Sequence, residues 1–287
     1  MAIDILTSIH NKMCAFSKGQ KRIASYIVSS YDKAAFMTAN KLGKMVNVSE
    51  STVVRFAVEL GFDGYPSMQK ALQDMVRNKL TSVQRIEVTN DRFANQDVVS
   101  KVLQSDMESL RLTSENLDRD ALNRAVDAII RARHIYIVGV RSSEAIALYL
   151  NFYFRTIFDN VRLVSSTATS EMMEQMHHVS SQDVVIGISL PRYSTRTIKL
   201  MDFAKDRGAE VIVITDSMDA PAAKRATHTL VTKSDMVSVV DSLVAPMSLV
   251  NAMIVLISRK KKQEISRTFE NLEKIWQEYE VYERVEA

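Results

Sequence analysis

The sequence has few of the residues that cross-link or break a chain. Its 287 residues include one cysteine, seven glycines and four prolines, which excludes a disulfide-stapled scaffold, a collagen-like repeat and a proline-rich disordered chain. Cys14 lacks a partner for an internal disulfide or a cysteine-based zinc site, so we expect it to be a small buried hydrophobic residue. The sequence indicates no metal site and no cofactor.

Long apolar runs are also absent. No segment contains 18 apolar residues without a charge, and the opening "MAIDILTSIHNKM" lacks a basic start followed by a long apolar core. We therefore expect a cytoplasmic protein without a membrane segment. The length favours two domains, each large enough to bury its own core.

Positive charge is concentrated at one end of the chain. Residues 1–80 hold 11 Lys and Arg against 6 Asp and Glu, a net charge of +5, and the rest carries −2 of the total of +3. A basic segment joined to a nearly neutral one is typical of a protein in which one part approaches a polyanion.

Short helices with capping signals fill the first 80 residues. Ser17 precedes Gln20 by three positions, as in a capping box, while Thr38 and Ser49 stand where they can cap the next two helices. A last helix, starting near Pro66, completes an all-α domain over residues 1–79. Residues 80–96 are polar without a clear period, and we predict that they form a linker.

From His134 onward the pattern changes to alternating strands and helices. The runs "HIYIVGV", "VRLV", "DVVIGIS", "EVIVIT" and "HTLVT" have strand length, and helical segments separate them. This order predicts an α/β domain over residues 97–287, with a parallel sheet flanked by helices. The apolar stretch at 239–258 fits a buried core helix better than a subunit contact.

Residues 39–60 match a helix-turn-helix unit, in which the second helix enters the DNA major groove by its N-terminal end. We expect five apolar side chains to join the two helices: Leu42, Val46, Val53, Phe56 and Leu60. The candidate DNA-binding residues are Ser49, Glu50, Ser51, Thr52, Arg55, Lys41 and Lys44, with Lys70 adding phosphate attraction. The alternative interpretation is an ordinary exposed face of a helical bundle.

A second candidate site lies where the predicted strands end. The loops "GVRSS", "SLPRYSTRT" and "TDSMDAP" bring hydroxyl groups to helix starts, where backbone amides favour a phosphate. The candidate ligand-binding residues are Arg141, Ser142, Ser143, Ser189, Arg192, Ser194, Thr195 and Thr197. Any one of these serines is also explained as a helix cap.

Four stretches together resemble the RpiR family of bacterial transcriptional regulators: "SKGQKRIASYIV", "NVSESTVVRFAVELGFDGYPSMQKAL", "VGVRSSEAIALYL" and "GISLPRYSTRTIKLMDFAKDRGA". The resemblance implies a helix-turn-helix domain joined to a sugar isomerase (SIS) domain that binds a phosphorylated sugar. It also implies that Ser51, Thr52 and Arg55 belong to the DNA-reading helix.

The chain departs from the family pattern in both ligand loops. Arg141 stands where the family often has its second glycine, and a Pro-Arg-Tyr insertion precedes Ser194. Arg192 and Tyr193 then either replace backbone contacts to the ligand or serve an interface.

The function expected from these features is a DNA-binding regulator, acting as a repressor or an activator, with repression favoured. A phosphorylated sugar would control its affinity for a double-stranded operator, and the protein would be a homodimer or homotetramer without catalytic residues. One alternative is a sugar-phosphate isomerase with its base among Glu144, Glu171, Glu174, His177 and His178. Another is a sugar-binding protein whose helical domain binds proteins.

Overall fold

The computed structural model describes residues 5–77, 80–93 and 97–283. The chain forms two compact units. Unit 1 comprises Met1–Ser105 and Met236–Asp241, and unit 2 comprises Asp106–Asp235 and Ser242–Ala287.

Unit 1 is helical. Its described helices are α1 (Ile5–Lys12), α2 (Lys18–Ser29), α3 (Tyr31–Ala34), α4 (Ala39–Met45), α5 (Glu50–Glu59), α6 (Tyr65–Arg77) and α7 (Ser82–Phe93), followed by the start of α8 (Val98–Asn116). The three predicted caps are confirmed: Ser17 and Gln20 form a full capping box, Thr38 accepts from the Lys41 amide, and Ser49 accepts from the Thr52 amide.

The core of unit 1 joins α4 and α5 as predicted. Leu42, Val46, Val53, Phe56 and Leu60 are all buried. Gly43 is required there, because a Cβ atom at this position would lie 2.8 Å from the Val48 carbonyl oxygen of the following turn. A short turn thus brings the two helices together at close range.

Residues 80–96, predicted to be a linker, contain helix α7 and lie in unit 1. Thr81 and Gln84 exchange capping hydrogen bonds, and Arg85 and Thr89 are buried. The apolar period was not visible in the sequence because polar side chains occupy part of the buried face. The division between the units falls at residue 105, inside α8, rather than at residue 97.

The loop 236–241 explains why a polar face of α7 is buried. Arg85 Nη1 lies 3.1 Å from Asp241 Oδ2, and both side chains are almost fully buried. Met236 packs in the unit 1 core, and Thr89 Oγ1 lies 3.4 Å from the Val237 carbonyl oxygen. Residues 239–241, predicted as helical, therefore belong to this loop.

Unit 2 contains a five-stranded parallel sheet, with all five predicted strands present. The strands are β1 (Ile135–Gly139), β2 (Val161–Val164), β3 (Val184–Ile188), β4 (Glu210–Thr215) and β5 (His228–Val231). Their order in the sheet is β2-β1-β3-β4-β5. The order reverses between β1 and β3, which is where open parallel sheets bind ligands.

Helices cover both faces of this sheet. The described helices of unit 2 are the rest of α8, α9 (Arg119–Arg131), α10 (Ser143–Ile157), α11 (Thr169–Gln175), α12 (Thr195–Asp206), α13 (Val244–Lys260) and α14 (Lys262–Glu278), with a 3₁₀ turn at Ala223–Arg225. Ile135 and Ile137 of β1 face the core shared with α9, α10 and α13, whereas Tyr136 and Val138 face the core shared with α12. Alternate side chains of one strand therefore support opposite layers.

Three further features bear on the sequence predictions. Cys14 is exposed rather than buried, because it lies in the turn after α1 and Phe16 takes the core position. Helix α13 is a core helix, as predicted, with Leu249, Val250 and Met253 buried. Among the described residues, no helix is both long and apolar enough to cross a membrane.

Candidate functional site

The head of α5 presents polar side chains to solvent. Ser49, Glu50, Ser51 and Arg55 are exposed. The Ser49 hydroxyl lies 2.9 Å from the Ser51 hydroxyl and 2.8 Å from that of Thr52, so the cap links the first turn into one hydroxyl cluster. Such a cluster offers hydrogen-bond donors and acceptors to phosphates or base edges.

Two of the candidate DNA-binding residues are held within the unit. Thr52 is half-buried rather than fully outward, because its methyl group lies against α2: a Cβ atom on Gly19 would be 3.5 Å from Thr52 Cγ2. Arg55 Nε donates to the Ser51 carbonyl oxygen over 3.3 Å, which lays the guanidinium along the helix. Lys41 and Lys44 are exposed on the preceding helix.

The second candidate site is the crevice at the carboxyl ends of β1 and β3. Helix α10 starts after β1 and helix α12 starts after β3. Neither helix has a side-chain cap, in contrast to α5 and α9, which are capped by Ser49 and Asp118. The first backbone amides of both helices can therefore donate to a bound ligand. The two helices begin on either side of the point where the strand order reverses.

Ser189 directly follows β3, the strand that leads to the start of α12. The residue is only 3% exposed, and its hydroxyl has no hydrogen-bond partner among the residues that the structure describes. A buried hydroxyl without a partner costs free energy unless a ligand or water satisfies it. Its backbone is fixed, because the Ser189 amide donates to the Ile214 carbonyl and the Thr215 hydroxyl donates to the Ser189 carbonyl over 2.7 Å.

The other predicted ligand residues lie around this crevice with different exposure. Arg141, Ser142, Arg192 and Thr195 are exposed, and Ser194 is half-buried. Ser143 and Thr197 are buried on the inner sides of α10 and α12. All eight predicted residues lie near the carboxyl edge of the sheet by their position in the sequence. Their side chains differ in burial: some face solvent, and others pack in the interior of the unit.

Arg141 adopts a backbone conformation that favours glycine. Its φ angle is +61°, in the left-handed region. Arginine in place of the family glycine therefore adds backbone strain as well as a positive charge. Gly139, two residues earlier, is required for packing, because a Cβ atom there would lie 2.7 Å from Ala147 Cβ in α10.

The inserted Pro-Arg-Tyr segment is tied to the neighbouring loop. The Tyr193 hydroxyl lies 2.8 Å from Asp216 Oδ1 and donates to it. Asp216 follows β4, so this bond joins the loops after β3 and β4. Tyr193 thus has a positioning contact inside the unit, while Arg192 is exposed.

The loop after β2 also reaches this edge, and the sequence predictions did not include it. Ser165 donates to Glu144 Oε1 over 3.1 Å, and Ser166 donates to Glu171 Oε2. The signal was the Ser-Ser-Thr run directly after the predicted strand "VRLV". Because β2 neighbours β1, these hydroxyls lie beside the loop of Arg141.

The possible catalytic bases do not form a buried site. Glu171, Glu174, His177 and His178 are exposed, and Glu144 is half-buried. His177 Nδ1 lies 2.6 Å from the Glu174 carbonyl oxygen, and its ring stacks near that of His178. Within the described residues, no three His, Cys, Asp or Glu side chains come together as metal ligands.

At the opposite, amino-terminal edge of the sheet lies a charged cluster around Asp183. The carboxylate is buried and accepts from Arg133 at 2.7 Å, from the His134 amide at 3.1 Å and from the Ser180 amide at 2.8 Å. Burial raises the pKa of Asp183, but hydrogen bonds from Arg133, Ser180 and His134 outweigh it and lower the pKa to about 2. This cluster joins the starts of β1 and β3.

Comparison with known proteins covers both units. Residues 3–79 match the profile of the "Helix-turn-helix domain, rpiR family", and residues 128–256 match that of the "SIS domain". The HTH-type transcriptional regulator HexR of Escherichia coli is 30% identical over 226 residues, which cover 78% of this chain and 76% of HexR. An uncharacterized HTH-type transcriptional regulator of Clostridium perfringens is 27% identical over 227 residues, covering 79% and 80%.

Two solved structures share the fold. The sugar isomerase domain of an RpiR transcription factor from Sphaerobacter thermophilus has a TM-score of 0.59 and 25% identity, covering 62% of this chain and 99% of that one. The Vibrio vulnificus NanR protein, complexed with ManNAc-6P, has a TM-score of 0.60 and 21% identity, covering 96% and 99%. The matched profiles and the HexR alignment show that this chain belongs to the rpiR family of HTH-type transcriptional regulators.

Proposed function

We propose that this regulator is a repressor whose affinity for its DNA operator is controlled by a phosphorylated sugar bound at the carboxyl edge of the sheet. The observation that carries the proposal is the buried Ser189 hydroxyl, which has no partner among the described residues and follows β3 at the edge of the sheet where the uncapped helices α10 and α12 begin. A phosphate can accept hydrogen bonds from this hydroxyl and from the helix amides.

Two further points support this ligand class. Arg141 and Arg192, both exposed, add positive charge at the same edge. NanR, which has the same fold, is complexed with ManNAc-6P, and we extend its ligand class, a phosphorylated sugar, to this chain. Ser142, Ser194 and Thr195 would bind the ligand through their hydroxyls, while buried Ser143 and Thr197 would contribute through the amides of their helices.

The DNA-binding role is proposed for the head of α5. Ser49, Ser51 and Thr52 would contact phosphates or base edges, Arg55 would bind guanine after releasing the Ser51 carbonyl, and Glu50 would accept from a cytosine amino group. Lys41 and Lys44 would attract the backbone. The protein would act in the cytoplasm, where it meets the chromosome.

Control of DNA affinity would follow from linkage. A sugar phosphate that binds one arrangement of the protein more tightly shifts the population toward it, and the affinity for DNA changes by the same coupling free energy. Two α5 helices must meet successive major grooves about 34 Å apart, so we propose a homodimer, or a tetramer built from dimers.

We also propose that the SIS domain binds its ligand without turnover. Glu171 accepts from Ser166 and is exposed, and Glu174 and the two adjacent histidines are exposed as well. Glu144, half-buried at the start of α10, is the remaining candidate base. Ketose–aldose exchange by the purified protein, lost in Glu144→Gln or Glu171→Gln, would contradict binding without turnover.

A two-part experiment tests the main proposal. Thermal unfolding with a panel of phosphorylated sugars should identify a ligand that raises the melting temperature with concentration, and Ser189→Ala should remove most of that shift. Ser181→Ala, an exposed serine at the opposite edge of the sheet, is the matched control and should keep it.

The same ligand should then change retention of operator DNA selected from a random duplex library. The parent and Ser181→Ala should respond, and Ser189→Ala should bind the DNA without responding. Unchanged DNA affinity in the parent with every sugar that shifts the melting temperature would contradict the proposal. No retention of duplex DNA at all would favour a helical domain that binds proteins.

A further inference from the structure

Helix α2 carries a polar and basic row beside the head of α5, and the candidate DNA residues do not include it. The α2 stripe consists of Lys18, Lys21, Arg22, Ser25 and Ser29, which line one side of an open groove. Met45, Val46 and Asn47, from the end of α4 and the turn before α5, line the other side. The stripe spans 11 residue steps of helix, or about 16 Å.

The start of the stripe is packed directly against α5. A Cβ atom on Gly19 would lie 3.5 Å from Thr52 Cγ2 and 3.5 Å from Val48 Cγ1, so the first turns of α2 and α5 are in contact. Asn47 stands two residues before the Ser49 cap and has a φ angle of +55°. The groove therefore begins where α5 begins.

The charged residues of the α2 stripe are all positive. Lys18, Lys21 and Arg22 are exposed, and helix α2 contains no acidic residue. None of the ion pairs found within residues 5–77, 80–93 and 97–283 involves these three cations. A carboxylate, Asp32, lies beyond the far end of α2, where burial and this negative charge raise the pKa of Tyr26. The three cations at the start of α2 thus remain available to an outside anion.

We propose that the α2 stripe binds phosphates of the DNA backbone beside the major groove that α5 enters. The inference rests on the proposed DNA-reading role of α5. Lysine and arginine at this place add affinity that does not depend on base sequence, because every backbone presents the same phosphates. The stripe would hold the duplex while α5 supplies the base contacts.

Salt dependence of DNA binding tests this role with a duplex of any sequence, so the operator need not be identified. The probe is a fluorescein-labelled random-sequence duplex of about 30 base pairs, titrated with the full-length protein at several salt concentrations between about 50 and 200 mM, where affinity falls steeply with salt. Each lost phosphate contact should reduce the slope of log affinity against log salt by about 0.9. The variant Lys18→Gln/Lys21→Gln should therefore lose about 2 from the slope.

The matched control is Lys205→Gln/Lys262→Gln, which removes the same charge from exposed positions of unit 2. It should keep the parent slope. Ser25→Asp, which puts a negative charge in the middle of the stripe, should weaken binding, and Ser25→Asn should not. These two serine variants keep all the lysines, so they test the stripe even if the double lysine variant folds poorly.

Each result decides between the two proposals. A parent that binds the duplex with a steep salt slope, and a double variant that keeps that slope, would overturn the role of the stripe and leave that of α5 intact. Equal weakening by both double variants would also overturn it, since net charge alone would then explain the effect. A parent that does not bind duplex DNA would overturn both.

Discussion

At the scale of single residues, Arg141 has an unfavourable backbone conformation and also lies in the candidate ligand crevice. A non-glycine residue in the left-handed region costs about 1–2 kcal/mol, mainly through its Cβ atom. The glycine that the RpiR family often has at this position avoids that cost. An exposed arginine at this position is consistent with a contact to an anionic ligand, since one guanidinium group can donate to two phosphate oxygens at once.

We expect Arg141→Gly to unfold with a higher free energy than Arg141→Ala, by about 0.5–1 kcal/mol. Both variants lose the charge, but only glycine relieves the backbone, and part of the gain is offset by the flexibility of glycine in the unfolded chain. Urea unfolding of the two purified variants measures the difference. Equal stability would show that the position is not strained in solution.

Ser189 and Thr52 show what the sequence does not reveal about single side chains. Both were predicted by type and position, yet the missing partner of the Ser189 hydroxyl and the contact of Thr52 with α2 depend on neighbours distant in sequence. Cys14 was predicted to be buried from the average behaviour of its residue type. Its exposure follows from one turn, where Phe16 fills the core instead.

At the scale of elements, the Asp183 cluster fixes the first residues of two central strands. The buried carboxylate binds Arg133, His134 and Ser180. Because its pKa is lowered in the folded protein, the ionised carboxylate stabilises the fold. A carboxyl group with a folded pKa of about 2 and an unfolded value of 3.8 contributes stability that is present above pH 3.8 and is lost as the pH falls toward 2.

We therefore expect Asp183→Asn to lower the free energy of unfolding by about 2 kcal/mol at pH 7, because hydrogen bonds to a charged group are lost. The gap between parent and variant should stay constant down to about pH 5 and narrow between about pH 4 and pH 2. Asp159→Asn, at an exposed aspartate, is the control and should show neither effect. A gap that does not change with pH would mean that Asp183 acts through its shape alone.

Most elements could be predicted because each carries its own signal. The strands are short apolar runs, and Ser17, Thr38 and Ser49 mark helix starts by a local hydrogen bond that the structure confirms. Helix α7 could not be predicted in the same way. Its buried face includes Arg85, whose burial depends on Asp241, 156 residues away in sequence.

At the scale of the whole molecule, exposed apolar side chains on α10 mark the surface where we expect the two copies of the proposed dimer to pack. Leu148 is 50% exposed and Phe152 68% exposed, one helical turn apart, and Val255 of α13 is 57% exposed. Exposed apolar side chains can pack against the same side chains of a second copy, as a two-fold interface requires. The proposed pairing of two α5 helices on DNA requires such a copy.

Phe152→Glu should convert a dimer into monomers, because the interface would bury two carboxylates without partners. Light scattering after size exclusion measures the mass. Val28→Glu, which places the same charge at an exposed apolar position of unit 1, should leave the mass unchanged. A parent of monomer mass, or a Phe152→Glu variant of parent mass, would contradict this assignment.

The loop 236–241 limits how the protein can be dissected. A fragment of residues 1–105 would lack Met236 and Asp241, which leaves a void in its core and removes the Asp241 carboxylate from the buried Arg85 guanidinium. Such a fragment should melt well below the intact chain, and Arg85→Met within the fragment should recover part of the loss. The DNA-binding domain therefore cannot be moved to another protein as residues 1–105 alone. A gene fusion that joins it to a different ligand-binding domain must also include the short segment 236–241, which is encoded far downstream in the reading frame.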